Sequence, residues 1–287
     1  MAYTSLKELL PVAEKNKYAL GAFNIFNYLT ARAVIESCEE ENTPVIVQTS
    51  AKTVKQLGAY QIMDFLLPLA KKASIPVAVH LDHCTDIALA KECIDAGWSS
   101  IMIDASHHTL EENIAISRKI VDYARQNQVH GYISVEGELG AIVGVEDDIF
   151  VAEQDAVLAD VESSVKYVNG SGVDAFAPAI GTAHGLYKGE PKIDFERFGQ
   201  IRSAVNIPMV LHGGTGLSPQ VFRKLIDLGA SKVNVSTAIK MAYLNSSKEF
   251  LAQTGDPLKF DGGVFAAVKQ EVKTFLKIFA NHESRGA

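Results

Sequence analysis

Three of the eight histidines of this chain lie in short segments in which acidic and small residues surround them. They are His83 in Val-His-Leu-Asp-His, His184 in Gly-Thr-Ala-His-Gly and His212 in Val-Leu-His-Gly-Gly. Neutral imidazole is the commonest zinc ligand in proteins, and a catalytic zinc ion keeps three protein ligands and one open position. A lone histidine is more often a hydrogen-bonded structural residue. Three histidines that the fold brings to one place favour a zinc site.

Carboxylates accompany these histidines. Asp82 directly precedes His83, and Asp104 and Glu138 follow later in the chain. A carboxylate beside a metal ion suits proton transfer, because burial and a bound cation both change its pKa. The alternative role is to orient a histidine ligand. In a regular strand Asp82 and His83 would face opposite sides, so the chain must turn there if both serve one site.

Two further segments, rich in glycine or in hydroxyl residues, each lead into a predicted helix. The first is His212-Gly213-Gly214-Thr215-Gly216, and the second is Asn234-Val235-Ser236-Thr237. Small residues before a helix leave backbone N–H groups free to bind an anion such as a phosphate. An ordinary turn is the alternative interpretation.

A third glycine-bearing stretch runs from Glu138 to Asp148 and ends in three acids, the first of which is Glu146. It has no helical spacing of apolar residues, so we interpret it as a long mobile loop that can carry a carboxylate into the site. A solvated acidic turn fits the spacing equally well.

The elements that must position these residues follow from eight short runs rich in Val, Ile and Ala, which alternate with longer amphipathic stretches. The predicted strands cover residues 18–24, 44–50, 77–82, 100–104, 132–138, 173–179, 208–212 and 232–236. Eight strands with following helices fit an α/β fold of the (β/α)8 TIM barrel type, with extra N- and C-terminal helices. A doubly wound open sheet is the alternative. No linker rich in Pro, Gly or Ser divides the sequence, so we expect residues 1–287 to form a single domain.

In such a barrel the loops after the carboxyl ends of the strands build the active site. Polar residues end or follow every predicted strand: Asn24, Ser50, Asp82, His83, Asp104, Glu136, Glu138, His184, His212, Asn234 and Ser236. The loops after the seventh and eighth strands are a frequent phosphate site of this fold. The two segments that precede predicted helices therefore lie where a phosphate is expected.

Composition excludes other classes of function. The formal net charge is -7, which provides no basic footprint for nucleic acid or an anionic membrane. No apolar stretch approaches the ~20 residues that cross a bilayer. The three cysteines form no C-x-x-C pair, and the N-terminus carries no secretory signal. We therefore expect buried thiols and a cytoplasmic location.

Six ordered motifs carry a resemblance to a known family: Val-His-Leu-Asp-His (79–83), Met-Ile-Asp-Ala-Ser (102–106), Ser-Val-Glu-Gly-Glu-Leu-Gly (134–140), Ala-Ile-Gly-Thr-Ala-His-Gly (179–185), Leu-His-Gly-Gly-Thr-Gly (211–216) and Val-Asn-Val-Ser-Thr (233–237). With them the chain resembles the class II, zinc-dependent fructose-bisphosphate and tagatose-bisphosphate aldolases. The similarity runs from about Leu6 to the C-terminus. Six motifs in one order make the resemblance specific.

The resemblance implies roles for individual residues. His83, His184 and His212 would hold the catalytic zinc, and Asp104 and Glu138 would lie around a second or alternative metal position. The ketose phosphate, with a sodium or potassium ion nearby, would be bound by Asn24, Ser50, Gly185, Gly213, Gly214, Thr215, Asn234, Val235, Ser236 and Thr237.

The same resemblance implies the reaction, a reversible aldol cleavage of a ketose 1,6-bisphosphate to dihydroxyacetone phosphate and glyceraldehyde 3-phosphate. Asp82 would exchange a proton with the aldehyde-derived oxygen, and Glu146 would move the proton at a carbon of dihydroxyacetone phosphate. Zinc takes the place of a lysine Schiff base here; Lys232, at the start of the eighth predicted strand, lies at the wrong end for one.

The sequence departs from the family pattern at two positions. Val143-Gly144 stands where many relatives have two glycines, and Leu258 follows Asp256-Pro257 where tagatose-type members often carry an arginine. The sequence therefore does not decide the chemical identity of the distal group of the substrate. It is either a phosphate, bound by Lys259 or Lys188, or another group. Alternative substrates are a deoxy-keto acid phosphate or a sulfonated sugar phosphate.

Other classes of function stay open at this point. One is a noncatalytic zinc- and phosphate-binding module, which the presence of Asp82 and Glu146 disfavours, and another is a metal-dependent sugar-phosphate epimerase. The family suggests a homodimer or homotetramer. The C-terminal helix, predicted over Val264 to Phe279, is either an interface element or a cover that closes the barrel.

Overall fold

A computed structural model describes residues 2–146, 149–151, 157–185 and 191–280 of the chain. Its strands, in chain order, are β1 (Leu20–Asn24), β2 (Val45–Ser50), β3 (Val77–Cys84), β4 (Ser100–Ile103), β5 (Ser134–Leu139), β6 (Val143–Glu146), β7 (Ile149–Val151), β8 (Ala175–Pro178), β9 (Ala183–His184), β10 (Met209–Leu211) and β11 (Ala230–Val235). Eight of them form a closed barrel in the order β1-β2-β3-β4-β5-β8-β10-β11, with every neighbouring pair parallel.

The helices of the described residues surround this barrel or cap it. They are α1 (Leu6–Lys15), α2 (Tyr28–Glu40), α3 (Ala51–Leu57), α4 (Ala59–Lys72), α5 (Ile87–Asp95), α6 (Leu110–Gln126), α7 (Val161–Ser171), α8 (Phe195–Ala204), α9 (Pro219–Asp227), α10 (Thr237–Gln253) and α11 (Pro257–Phe279). The predicted (β/α)8 barrel with extra helices at both ends is confirmed. Each of the eight predicted strands is present, with its bounds shifted by at most a few residues.

Successive side chains of each barrel strand point alternately outward, toward the helices, and inward, into the barrel. Outward residues such as Phe23, Val47 and Leu81 join the buried layer between strands and helices. Below the barrel, α1 closes the amino-terminal end by packing Leu6 and Leu10 against the inward residues of the lower strands. The chemistry is thereby left to the opposite, carboxyl-terminal end.

The C-terminal helix α11 covers the barrel within the same chain. One face of α11 is buried, through Val264, Val268, Val272, Phe275, Leu276 and Phe279, and the last five of these belong to the main core. The aromatic rings of Phe275 and Phe279 contact Phe222 of α9 at centroid distances of 6.4 and 5.2 Å. The apolar face of α11 therefore closes the barrel, which is one of the two roles predicted for this helix.

The stretch after β5 differs from the predicted loop. Strand β6 pairs with β7 as an antiparallel hairpin, and β6 also pairs in parallel with β9. Gly144 permits this approach, because its φ is +117° and a Cβ there would lie 2.3 Å from the carbonyl oxygen of His184. The interpretation of residues 138–148 as a long loop is therefore wrong for residues 143–146, which form β6. In the described residues, no helix is both long enough and apolar enough to span a bilayer.

Candidate active site

A backbone irregularity in β3 brings Asp82 and His83 to the same side. Leu81 pairs with Ile101 of β4, but the next paired residue on β3 is Cys84, opposite Ile103, so β3 carries one extra residue. The φ of His83 is +42°, in the left-handed region that a non-glycine residue rarely adopts. This bulge supplies the turn that the adjacent Asp82 and His83 require, and both side chains enter the barrel.

The three predicted zinc ligands converge at the carboxyl-terminal mouth. The ring centroid of His83 lies 4.9 Å from that of His184 and 4.5 Å from that of His212. One nitrogen from each ring belongs to a set of atoms that all lie within 4.8 Å of one another. Burial lowers the pKa values of His184 and His212 well below the ordinary histidine value. This direction favours the neutral imidazole, which is the form that binds a metal.

Two carboxylates flank these rings. Asp104 lies with Oδ2 3.0 Å from Nδ1 of His83, and Glu138 lies with Oε2 2.7 Å from Nδ1 of His212. Burial alone would raise the pKa of Asp104, but the hydrogen bonds with His83 and Ser106 outweigh burial and hold the pKa below its ordinary value. His83, Asp104 and Glu138 also form a second group of possible metal ligands within 4.8 Å of one another.

Asp82 is buried among amides. Its Oδ1 accepts a hydrogen bond from Asn234 at 2.9 Å, and its Oδ2 accepts from Gln48 at 3.1 Å and from Asn24 at 3.4 Å. Burial raises the pKa of this carboxyl group above its ordinary value. Asp104, rather than Asp82, contacts the ring of His83, so Asp82 is not the residue that orients that ring.

Sequence reasoning named Glu136 and Lys232 but assigned no role to the polar layer that they form directly beneath these residues. Gln48, His80, Glu136 and Lys232 are all fully buried inside the barrel. Each lies two residues before a strand-end position that the sequence analysis singled out, and therefore on the same face of its strand. That spacing could have identified them. Lys232 stands in the interior of β11 rather than at its far end, closer to the site than predicted.

The glycine-rich and hydroxyl-rich segments line a cleft over the histidines. Its walls are His83, His184, Gly185, Gly213, Gly214, Thr215, Asn234, Ser236 and Thr237. Gly213 has φ +69°, and a Cβ there would lie 2.4 Å from the carbonyl oxygen of Ala183, so only glycine fits without strain. Helix α10 begins at Thr237, and Oγ1 of Thr215 accepts a hydrogen bond from the backbone N–H of Ala238 in its first turn at 3.4 Å. The glycine-rich segment and the start of α10 thus meet at the cleft.

Three predicted site residues are placed differently. Ser50 lies at the N-terminus of α3, where its hydroxyl accepts a hydrogen bond from the backbone N–H of Thr53. The side chain of Val235 packs in the outer core, so only its backbone can serve the site. Glu146 ends β6, and its side chain lies outside the described part of the chain, as does the whole of Lys188.

The donor set fits a zinc ion. Three imidazoles are a common catalytic zinc set, and one nitrogen from each of these three rings lies within 4.8 Å of the other two. Charge supports the same conclusion. The buried carboxylates of the described residues are Asp82, Asp104, Glu136 and Glu138, whereas Lys232 is the one buried lysine or arginine there. A divalent cation would offset much of this negative charge.

A larger groove, of about 700 Å³, lies on the outer surface between α9 and the end of α11. Its walls include Arg223, Lys224, Asp227 and Lys277, and none of the predicted site residues lines it. Arg223 already pairs with Asp227. The chemistry therefore belongs to the smaller cleft at the barrel mouth.

The sequence of this chain is similar to those of known proteins along most of its length. Residues 4–284 match the family described as Fructose-bisphosphate aldolase class-II. A fructose-bisphosphate aldolase of Staphylococcus aureus (strain Mu50 / ATCC 700699) is 40% identical over 285 residues, which cover 97% of this chain and 98% of the relative. A fructose-bisphosphate aldolase of Geobacillus stearothermophilus is 40% identical over 278 residues, 95% of each chain.

A solved structure extends the comparison to three dimensions. The YdjI aldolase from Escherichia coli K12 superimposes with a TM-score of 0.86 at 29% identity, and the match covers 97% of each chain. The similarity therefore includes the whole barrel and both of its extra helices.

Proposed function

The chain belongs to the class II fructose-bisphosphate aldolase family and is an aldolase, a carbon–carbon lyase, and from this premise we propose that it is a zinc enzyme that cleaves a ketose 1,6-bisphosphate reversibly. The substrate is fructose or tagatose bisphosphate, and the products are dihydroxyacetone phosphate and glyceraldehyde 3-phosphate. The observation that carries the proposal is the convergence of three histidine rings beside the buried Asp82 and beneath the glycine-lined cleft.

His83, His184 and His212 would hold the zinc ion. When bound there, zinc would stabilise the negative charge that develops on the oxygens of the ketose as the carbon–carbon bond breaks. Asp104 and Glu138 hold the rings of His83 and His212 in place through contacts of 3.0 and 2.7 Å. The same two carboxylates, with His83, could form the second metal position implied by the family resemblance.

The cleft fits the phosphate of the dihydroxyacetone phosphate half. An anion at this position would meet the backbone N–H groups of Gly213, Gly214, Ser236 and Thr237 and the positive end of the α10 dipole. Gly185 and Val235 would contribute through their backbone only. In this way an acidic protein binds a doubly anionic substrate without a basic surface. A sodium or potassium ion beside the phosphate stays a prediction.

Asp82 would begin the cleavage. It accepts the proton of the C4 hydroxyl as the C3–C4 bond breaks, C4 becomes the aldehyde carbonyl, and the electron pair of the bond passes into the enediolate of the other half. The amides of Asn24, Gln48 and Asn234 aim the carboxylate. Glu146, carried by β6 beside β9, would then protonate C3 to give dihydroxyacetone phosphate. In the condensation direction both proton transfers reverse.

A lysine Schiff base is disfavoured by the contacts of Lys232. Its Nζ lies 2.9 and 3.0 Å from the two oxygens of Glu136 and 2.7 Å from Oδ1 of Asn234. These partners occupy the amine inside the barrel, whereas a Schiff base requires an amine that can reach the substrate carbonyl. Borohydride with substrate is therefore expected not to trap the enzyme covalently.

The substrate is tested by a panel of ketose phosphates with the zinc-loaded enzyme. The panel contains fructose and tagatose 1,6-bisphosphates, a ketose 1-phosphate without a distal phosphate, a deoxy-keto acid phosphate and a sulfonated sugar phosphate. We expect the highest kcat/KM with one of the bisphosphates. A clear preference for a substrate without a distal phosphate would contradict that part of the proposal and agree with Leu258, which is 81% exposed in the first turn of α11.

The same assay separates the other classes of function. Bound zinc without cleavage of any substrate would identify a noncatalytic binding module, and proton exchange with inversion of a centre but without cleavage would identify an epimerase. As a matched variant, His83→Ala should lose zinc, measured by metal analysis, together with cleavage. The homodimer or homotetramer, the single domain over residues 1–287 and the cytoplasmic location stay predictions.

A further inference from the structure

The middle layer of the barrel interior is unusual in its chemistry. Branched apolar residues normally fill this layer in (β/α)8 barrels, but here it holds the fully buried Gln48, His80, Glu136 and Lys232. A buried ion pair adds little net stability over well-packed apolar residues of similar volume. Fold stability alone therefore does not explain why Lys232 and Glu136 stand beneath the site.

Two hydrogen bonds and one ion pair fix the amine of Lys232. Nζ donates to Oε1 of Glu136 at 3.0 Å and to Oδ1 of Asn234 at 2.7 Å, and it lies 2.9 Å from Oε2 of Glu136 in the ion pair. The lysine is thus held in one position and joins β11 to β5 across the barrel.

The bond to Asn234 determines which way its amide points. Because Oδ1 accepts from the ammonium, Nδ2 is directed to the opposite side, where it donates to Oδ1 of Asp82 at 2.9 Å. A flipped amide would face the ammonium with its own N–H groups and would turn an oxygen toward the carboxylate of Asp82. Lys232 therefore selects the amide orientation that holds Asp82.

The other side of the network reaches a predicted zinc ligand. Oε1 of Glu136 lies 3.0 Å from both Nζ of Lys232 and Nε2 of His212. The ammonium keeps this carboxylate in place behind the imidazole. Lys232 is thus connected to Asp82 through Asn234 and to His212 through Glu136.

We propose that Lys232 is a positioning residue for carbon–carbon bond cleavage, which acts by orienting the Asn234 amide that holds Asp82. The inference rests on the proposed function of the site. It predicts a selective defect: cleavage, which needs Asp82, should suffer more than the exchange of the C3 proton of dihydroxyacetone phosphate with solvent, which does not.

The test compares Lys232→Met with the double variant Lys232→Met/Glu136→Gln, which leaves no unpaired buried charge if the single variant folds poorly. Lys240→Met, an exposed lysine on α10, is the matched control. Each purified protein is assayed for zinc content, for kcat of bisphosphate cleavage, and for deuterium incorporation into dihydroxyacetone phosphate by NMR in D2O.

The expected result is a fall in cleavage of about 10²-fold in both Lys232 variants, the effect of a catalytic group displaced by about 1 Å. Zinc content and deuterium incorporation should stay within about threefold of the wild type. Near-normal cleavage in the double variant would overturn the proposal, because Lys232 would then act only by neutralising Glu136.

Equal loss of cleavage, exchange and zinc in the double variant would also overturn it, in favour of a structural role. A wild-type enzyme that neither cleaves a ketose phosphate nor exchanges the proton would instead overturn the proposed function, and this inference with it. The two failures are therefore distinguishable.

Discussion

The two ends of the barrel interior are built from the same strands but differ in composition. At the amino-terminal end, Leu20, Ile46 and Val210 pack against Leu6 and Leu10 of α1 in a layer of apolar side chains. At the carboxyl-terminal end the inward positions of the same strands hold amides, imidazoles and carboxylates. The change takes place within a few residues along each strand.

This difference separates stability from chemistry. Apolar burial at the closed end stabilises the barrel, whereas the open end brings together four buried carboxylates and, in the described residues, one buried lysine. Substitutions at the open end should therefore reduce turnover more than stability, and those at the closed end should do the reverse.

The largest expected effect belongs to the open end. Asp82→Ala removes the proposed base for the C4 hydroxyl, and kcat for cleavage should fall by about 10²- to 10⁴-fold. Zinc content, measured by metal analysis, should stay that of the wild type, because the three histidines remain. Near-normal turnover in this variant would show that the assigned role of Asp82 is wrong.

The closed end should respond in the opposite way. Leu10, fully buried in α1, loses its packing in Leu10→Ala, so the free energy of unfolding should fall by about 2–5 kcal/mol. The kcat of the folded fraction should not change. Leu251→Ala on α10, where the side chain is 73% exposed, is the matched control and should shift the stability by no more than about 0.5 kcal/mol.

For Leu10→Ala, urea denaturation measures the stability and steady-state kinetics below the transition measures kcat. A loss of kcat without a loss of stability would contradict the division between the two ends.

A smaller effect is expected where the backbone itself forms the site. Gly213→Ala would place a Cβ 2.4 Å from a carbonyl oxygen at φ +69° and introduce a strain of about 1–3 kcal/mol, which opens the cleft. KM for the bisphosphate should rise by about tenfold, with zinc retained. Gly255→Ala, with open space around the added Cβ, is the control and should be neutral. Equal KM values in both variants would exclude the cleft as the phosphate site.

The sequence predicted all eight barrel strands, because alternation and turn residues are local signals. It did not predict the β6-β7-β9 sheet, whose hairpin pairs with His184, about forty residues away in the chain. It also left open how Asp82 and His83 share a site, since the bulge depends on the register with β4. Long-range pairing and register are set by tertiary contacts that a single sequence does not display.

The candidate site, like the fold, was predictable only where the signal is local in the sequence. Strand-end residues such as His212 and Asn234 were identified because position in a barrel predicts function. Glu136 and Lys232, which lie beneath them, received no role in the site, because their pairing across the barrel is a tertiary contact that a single sequence does not display.

The smallest expected effect lies at the cysteines. All three are buried, and burial raises the pKa of Cys84 to about 11. Since the thiolate is the reactive form, iodoacetamide should not label the native enzyme between pH 7 and 9, and should label all three thiols after unfolding. Mass spectrometry counts the modified residues. Rapid labelling of native Cys84 would indicate that the open end is less tightly packed than its structure implies.

The most direct test of the account is the cleavage of fructose or tagatose 1,6-bisphosphate by the enzyme as isolated, after chelation, and after zinc is added back. Chelation should abolish cleavage, added zinc should restore it, and the chelated protein should stay folded because the closed end of the barrel needs no metal. Full activity in the metal-free enzyme, or covalent trapping by borohydride, would contradict it.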